Sequence, residues 1–353
     1  MSCELCRPNL NLHDKDFHAI RGILNSKWVS NREHVAALED IFIKRFNVKF
    51  AIACSSATTG LMAAVKAAWP PGVTIELPAF TWPSTLLAAQ FSMGKVLFQD
   101  IEQDTWLMQS SNLPKDRYRI VVDIFGNQFS AAKPGDKHRT IYDAAHGFDL
   151  PKLGHRGIVE VVSLSATKPV TATEGGMILT NEADIAAKAR QIVRYIGRME
   201  EINAYLAKRS IENFDSAGYR QQMEAIREKY RSDLDFEYEL QRIPEASNCS
   251  SFQFLVKNQF IRNRIFAGLA ECDIVARAYY EPLAAHLENT NEVYNRIISL
   301  PFHPFMADRQ DEIIDLANRA AMASNEITGI TVVENLNSIP LEKQDKSKEF
   351  NIQ

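Results

Sequence analysis

Apolar residues recur every three to four positions from 17 to 46, with a break at 28–31. That spacing predicts two opening helices, the second capped by Asn31. The period then changes. Residues 50–54 (FAIAC) are a short unbroken apolar run expected to be a buried strand, 59–68 a helix and 74–77 (TIEL) another strand, the rhythm of a crossover unit. It continues through 95–99, 120–124, 140–143, 159–164 and 177–179 with helices or loops between. Short Val- and Ile-rich runs alternating with helices predict an α/β fold with a mostly parallel sheet covered on both faces. Ligands of such sheets sit at the carboxyl ends of the strands, so the loops there should hold the chemistry.

From 183 to about 240 the chain turns to long charged helices, most polar at 220–235, which reads as a bridge between domains. Strand-like sequence returns after Asn248 (SSFQFLV), followed by a helix near Arg264 and the segment RAYYEPL, predicting a smaller α+β domain that ends near Ile330. The expected division is a large domain over 15–212, a linking helix and small domain over 213–333, and a charged tail over 334–353 without fixed structure. No internal repeat is present.

Composition narrows the function. The chain has 353 residues, 46% hydrophobic and 24% charged, which describes a globular protein and excludes collagen-like, disordered and small disulfide scaffolds. Its 40 basic and 44 acidic residues give a net charge of −4 with no basic block, so neither nucleic acid nor a membrane surface is the expected partner. The first fourteen residues lack the apolar core of a signal peptide, and no run approaches the roughly 20 apolar residues of a membrane helix. A cytosolic protein with free thiols is expected. Cys3 and Cys6 form a lone C-x-x-C without a second pair or spaced histidines, so no metal site is expected.

Three loops carry candidate chemistry. Residues 55–60 (SSATTG) join a strand to a helix; such a turn either caps the helix or binds phosphate through its N–H groups and hydroxyls. Asp143 in YDAAH ends an apolar strand, where a carboxylate serves as a turn residue or holds a cationic ring nitrogen. Lys168 in SLSATKPVTATEGGMI is either a surface lysine or, in a desolvated pocket, one able to form a Schiff base with an aldehyde.

The ordered set KWVSNREHVAALEDIF, CSSATTGL, LPAFTWPST, FQDIEQDTW, IYDAAHG, SLSATKPVTATEGGMI, RMEEINA, ARAYYEPLAAH and SLPFHP, spanning about 20–323, resembles the DegT/StrS-type sugar aminotransferases. The resemblance implies fold type I of the pyridoxal-phosphate-dependent transferases, with a seven-stranded sheet and a smaller C-terminal domain, and pyridoxal 5′-phosphate as cofactor. It implies that Lys168 is the Schiff-base lysine and proton shuttle, and that Asp143 keeps the pyridine nitrogen protonated. His146 would lie near the ring's phenolic oxygen. Ser163 and the Ser56, Ala57 and Thr58 turn would bind the phosphate, and Trp82 would stack on the ring. Glu174, Gly175 and Gly176 match a turn whose glycines permit positive φ and close backbone approach.

Within the family, the ATKPVTATEGG and RAYYEPL segments look most like enzymes that aminate C4 of a nucleotide-linked 4-keto-6-deoxyhexose. Asn31, Arg277, Tyr279 and Tyr280 are then candidate substrate contacts, glutamate the expected amino donor and a homodimer the expected assembly. The alternatives are the same chemistry on a 3-keto sugar or keto-cyclitol, or a non-catalytic relative that only binds cofactor or sugar nucleotide. The chain departs from the pattern at Ala57, where relatives carry glycine, at Asn31, another glycine position, and at 194–201, where a longer asparagine-bearing loop that reaches the partner subunit's phosphate is missing. Relatives that dehydrate instead of transaminate replace the lysine by histidine, so Lys168 favours transamination.

Overall fold

The computed structural model describes residues 8, 10–109, 117–248 and 250–323. Cys3, Cys6 and the tail from Glu334 lie outside the described residues. In chain order the regular elements are α1 (Asp14–Ser26), α2 (Glu33–Phe46), β1 (Phe50–Cys54), α3 (Ala57–Ala68), β2 (Thr74–Pro78), α4 (Pro83–Phe91), β3 (Lys95–Gln99) and β4 (Arg117–Val122). Then follow β5 (Thr140–Ala144), β6 (Val159–Ser163), β7 (Gly176–Thr180), α5 (Ala183–Ile196), α6 (Glu201–Glu212) and α7 (Ser216–Asp233). The last are β8 (Tyr238–Leu240), β9 (Gln253–Val256), α8 (Gln259–Ala270), α9 (Glu288–Arg296), β10 (Ile297–Ser299) and α10 (Gln310–Met322).

Among the described residues, seven strands form one sheet in the order β1-β7-β6-β5-β4-β2-β3, and β10-β9-β8 form a second. In the large sheet only β7 runs against its neighbours, while the other pairs are parallel. Every residue of β5, β6 and β7 is buried, because helices cover both faces. On one face α3 and α5 pack Leu61, Val65 and Ala189 against Ile141, Val161 and Ile178. On the other, α2 and α6 pack Leu38, Phe42 and Ala204 against Val162, Met177 and Leu179. Each fully buried Leu, Ile, Val or Phe contributes about 1.5–3 kcal/mol by leaving water. Glycine brings α3 close: a Cβ at Gly60 would stand 2.8 Å from Val161 Cγ1.

The small antiparallel sheet packs its own core of Tyr230, Phe252, Phe254, Ile265 and Ile313 with α7, α8 and α10. A further cluster, in which Phe80, Trp106 and Phe125 meet Leu255, Tyr280 and Ile297, joins the two sheets. Asp100, just after β3, adds a polar tie by accepting the first N–H groups of α9 from Asn289 (3.0 Å) and Thr290 (2.9 Å).

Three expectations are corrected. The α2 cap is Arg32, not Asn31, whose φ is +56°; the Glu201 carboxylate receives the N–H groups of Arg32, His34 and Val35 at 2.6, 2.8 and 3.3 Å. A carboxylate from a distant helix thus does what a local side chain usually does. The stretch 183–240 is not a uniform bridge: α5 buries Ile185, Ala189 and Val193 against the large sheet's core, and α7 is the helix that enters the second core. In the Glu174–Gly176 turn the positive φ belongs to Thr173 (+67°). Gly175 and Gly176 serve close approach, since added Cβ atoms would lie 2.7 Å from Met199 Cε and from the Ser56–Ala57 backbone, respectively.

Candidate active site

The predicted site residues gather along one edge of the large sheet because neighbouring strands end there together. Cys54 of β1 and Ser163 of β6 both pair with Gly176 of β7, which sets the 55–58 turn beside Ser163. Asp143 lies one strand further on, paired with Val161 of β6 and Val122 of β4.

In the turn, the Ser56 hydroxyl caps α3, accepting the Thr59 N–H at 3.1 Å and sharing a hydrogen with Thr59 Oγ1 at 2.6 Å. The capping alternative therefore accounts for the Ser56 side chain. The N–H groups of Ala57 and Thr58 begin the helix, and no bond from them to an acceptor is present among the described residues. Two such donors on a helix N-terminus suit an anion. Ala57 occupies the relatives' glycine position with an ordinary negative φ. The Ser55 N–H donates to Gly197 O at 2.9 Å, so the end of α5 closes the turn. Only residues 197–200 connect α5 to α6. Ser163, buried at the end of β6, accepts the Ser165 N–H and donates to the Ser165 hydroxyl, each at 3.3 Å.

Asp143 is 3% exposed. Its Oδ2 accepts the Thr85 hydroxyl at 2.8 Å and its Oδ1 the Ala145 N–H at 3.2 Å, while Thr81 Oγ1 lies 3.1 Å from Thr85 Oγ1. Burial pushes the carboxyl above its usual range. The two hydrogen bonds and the Lys168 charge oppose that rise, and the Asp123 charge adds to it. His146 is held well below the ordinary imidazole range, first by burial and then by the Lys168 charge, so it is neutral. Lys168, half-buried in the loop after β6, thus acts electrostatically on both groups.

Aromatic rings line the remaining side. Tyr280 stacks on Phe125 with centroids 5.5 Å apart and planes 8° apart, and its hydroxyl lies 3.4 Å from His146 Nε2. Trp82, 56% exposed, meets the Tyr280 ring edge-on at 6.2 Å, and Tyr279 tilts against Tyr280 at 5.1 Å. Arg277 is fixed through its backbone, bridged to Ser299. Asn31 is on a loop tied to the segment after α5 by the Ser30–Glu200 bridge. Sequence reasoning missed Thr85, Phe125 and Glu201. Thr85 lies in the LPAFTWPST motif, but its partner is 58 residues away.

The donor set fits a phosphorylated pyridinium aldehyde: free helix N–H groups and a serine at one end, a buried carboxylate on the next strand, a lysine whose charge reaches that carboxylate and an exposed indole. Fold and site define a pyridoxal-phosphate-dependent aminotransferase of fold type I. The chain belongs to the DegT/DnrJ/EryC1/StrS aminotransferase family, whose model matches residues 11–317.

It is 27% identical over 202 residues to UDP-4-amino-4-deoxy-L-arabinose–oxoglutarate aminotransferase of Shewanella sediminis (strain HAW-EB3), a match over 53% of this chain and about half, 52%, of that protein. It is 24% identical over 323 residues to dTDP-4-amino-4,6-dideoxy-D-glucose transaminase of Shigella dysenteriae, covering 79% of this chain and 88% of that one. The crystal structure of DesI in the presence of its TDP-sugar product superposes with a TM-score of 0.79 at 24% identity, over 91% of this chain and 93% of that chain. No described helix is long and apolar enough to cross a membrane, and no group of three or more potential metal ligands occurs among the described residues.

Proposed function

We propose that the protein transfers an amino group from glutamate to the C4 ketone of a nucleotide-linked 4-keto-6-deoxyhexose, as a cytosolic homodimer. The observation that carries this reading is the convergence of Lys168, Asp143, Ser163 and the Ala57–Thr58 N–H groups on one sheet edge. The names of two relatives, both concerned with 4-amino sugar nucleotides, support C4 as the carbon, and the oxoglutarate in one name supports glutamate as donor. Bound pyridoxal 5′-phosphate supplies an aldehyde carbon that exchanges amines and a ring that withdraws electrons from the substrate carbon.

The chain's residues do the rest. The Ala57 and Thr58 N–H groups, with Ser163, would bind the phosphate; Asp143 would hold the proton on the ring nitrogen; Trp82 would stack on the ring; and the neutral His146 would serve its phenolic oxygen. With the cofactor bound, Lys168 Nζ would hold its aldehyde carbon and would act as the base that takes the proton from the glutamate α-carbon. On the sugar side, Lys168 would return a proton to the carbon that receives the amino group. Tyr279, Tyr280, Arg277 and Asn31 are assigned to the sugar-nucleotide side.

The exposed apolar residues Phe17 (58%) and Leu24 (54%) of α1 and Trp28 (62%) in the loop after it support a subunit contact there. We read 15–212 as the large domain and 213–333 as the small one. The test is to load the protein with pyridoxal 5′-phosphate, trap it with borohydride and add glutamate in a parallel sample. Attachment to Lys168, conversion to pyridoxamine phosphate by glutamate, and amination of a nucleoside-diphosphate 4-keto-6-deoxyhexose are expected. Normal turnover by Lys168→Ala would refute the mechanism, and amination of only a 3-keto sugar or keto-cyclitol would refute the substrate.

A further inference from the structure

Beneath the Asp143 turn lies a buried ionic cluster that the reading above does not use. Asp123 follows β4 and is 1% exposed, Arg156 is 1% exposed and Glu160 on β6 is fully buried. The Arg156 Nη1 and Nη2 groups donate to the two Asp123 oxygens at 2.9 and 2.7 Å, and its Nε and Nη2 donate to Glu160 Oε2 at 2.9 and 2.7 Å. The guanidinium sits 4.6 Å from the Tyr142 ring centroid. Two carboxylates around one guanidinium leave the cluster with excess negative charge. Such a cluster is expensive to bury, and apolar side chains would fill the space at least as stably.

Asp123 is also joined to the site. Its N–H donates to the Asp143 carbonyl at 3.1 Å, and its Oδ1 accepts the Phe129 N–H at 2.9 Å. Gly147, which closes the turn carrying His146, passes so near that a Cβ there would stand 2.7 Å from Asp123 Oδ2. Asp123 therefore both supports this turn and places a second carboxylate behind Asp143.

We propose that the Asp123–Arg156–Glu160 cluster is a positioning device for Asp143, in which Asp123 sets the orientation of the Asp143–Gly147 turn and its charge strengthens Asp143's hold on a proton-bearing ring. Like charge nearby makes a carboxylate a stronger base, and Arg156 neutralises enough of Asp123 to keep both carboxylates usable. The other groups acting on Asp143 are the Thr85 hydroxyl from α4, the Ala145 N–H of its own turn and Lys168 from the loop after β6. Tyr280, whose hydroxyl lies 3.4 Å from His146 Nε2, is within reach of the Asp143 charge.

The inference rests on the assignment of Asp143 to the ring nitrogen, so the test separates the two. In the cofactor-free protein, the Asp143 carboxyl is titrated by 13C NMR of labelled aspartate, assigned with Asp143→Asn. Asp123→Asn is expected to move its midpoint down. Glu160→Gln removes the same charge from the far side of Arg156 and is expected to move it in the same direction by less than half as much. An unmoved midpoint in Asp123→Asn, or an equal or larger shift in Glu160→Gln, overturns the proposal, since a purely structural role predicts no such ranking. Equilibrium binding of pyridoxal 5′-phosphate is measured alongside, and parent-like affinity in Asp143→Asn would overturn the assignment of Asp143 itself.

Discussion

Replacing Thr85 by valine keeps the shape of the side chain and removes one hydroxyl. Thr85 is wholly buried, and its Oγ1 donates to Asp143 Oδ2 at 2.8 Å. The variant carboxylate would keep the Ala145 N–H at 3.2 Å and the Lys168 charge, and the added methyl leaves no room for a replacing water. A hydrogen bond to a charged group is worth about 1.5–3 kcal/mol. If Asp143 must be ionised to hold the ring proton, cofactor affinity should fall roughly 10- to 150-fold, since each 1.4 kcal/mol is a factor of ten. The fold loses less than that, because without cofactor the carboxyl escapes by taking a proton, its tendency already raised by burial.

The assay is equilibrium binding of pyridoxal 5′-phosphate at pH 7.5 beside urea unfolding of the cofactor-free protein. Thr85→Ser, which restores the donor and removes only a methyl, should recover most of the affinity. Unchanged binding in Thr85→Val would refute the role of the hydroxyl, and equal losses in the two variants would assign the effect to packing.

Three further outcomes are expected. His146 is half-buried and neutral while an unfolded histidine takes up a proton near pH 6.5, so its contribution to stability is complete above that pH and lost as pH falls below it; urea midpoints between pH 5 and 7.5 should show a shallower slope in His146→Asn, and an identical slope would contradict the assignment. Gly176→Ala would set a Cβ 2.7 Å from the Ser56–Ala57 backbone, a strain of about 1–3 kcal/mol that must displace the phosphate turn, so weaker binding of inorganic phosphate and cofactor should be seen by calorimetry. Glu201→Ala uncovers three N–H groups at the start of α2 and should cost about 0.5–2 kcal/mol, with faster hydrogen exchange at Arg32, His34 and Val35 as the local sign.

The central strands were legible because burial on both faces leaves few polar positions in them: apart from Asp143, Glu160 and hydroxyl or small residues at their ends, β5, β6 and β7 read as apolar runs and match the structure within two residues. Helix starts were harder. At α2 the usual capping residue types near 30–31 pointed to Asn31, while the acceptor used is Glu201, about 170 residues away, which no local pattern reveals. The resemblance to a family supplied Lys168, Asp143 and Ser163 by position, and the sheet register explains why those positions converge. What surrounds them was not legible. Asp123 resembled the end of another strand, and Arg156 and Glu160, four apart across the entry to β6, carry no helical signal, so their pairing emerges only where β4 and β6 flank β5. Tyr280 reads in the sequence as a candidate substrate contact, and its stacking on Phe125 depends on how the small sheet docks.

The junction of α5 with the 55–58 turn constrains this protein by length rather than by composition. The Gly197 carbonyl meets the Ser55 N–H at 2.9 Å, and a Cβ at Gly197 would come within 2.3 Å of Ser55 Oγ. Each residue of helix advances the chain by about 1.5 Å and rotates it by about 100°. One residue inserted anywhere between Ala183 and Ile196 would therefore swing that carbonyl to another side, whatever the residue's chemistry. The exposed face of α5 is free to change its letters while the number of letters is held fixed, so α5 works as a gauge block that sets where the turn ends.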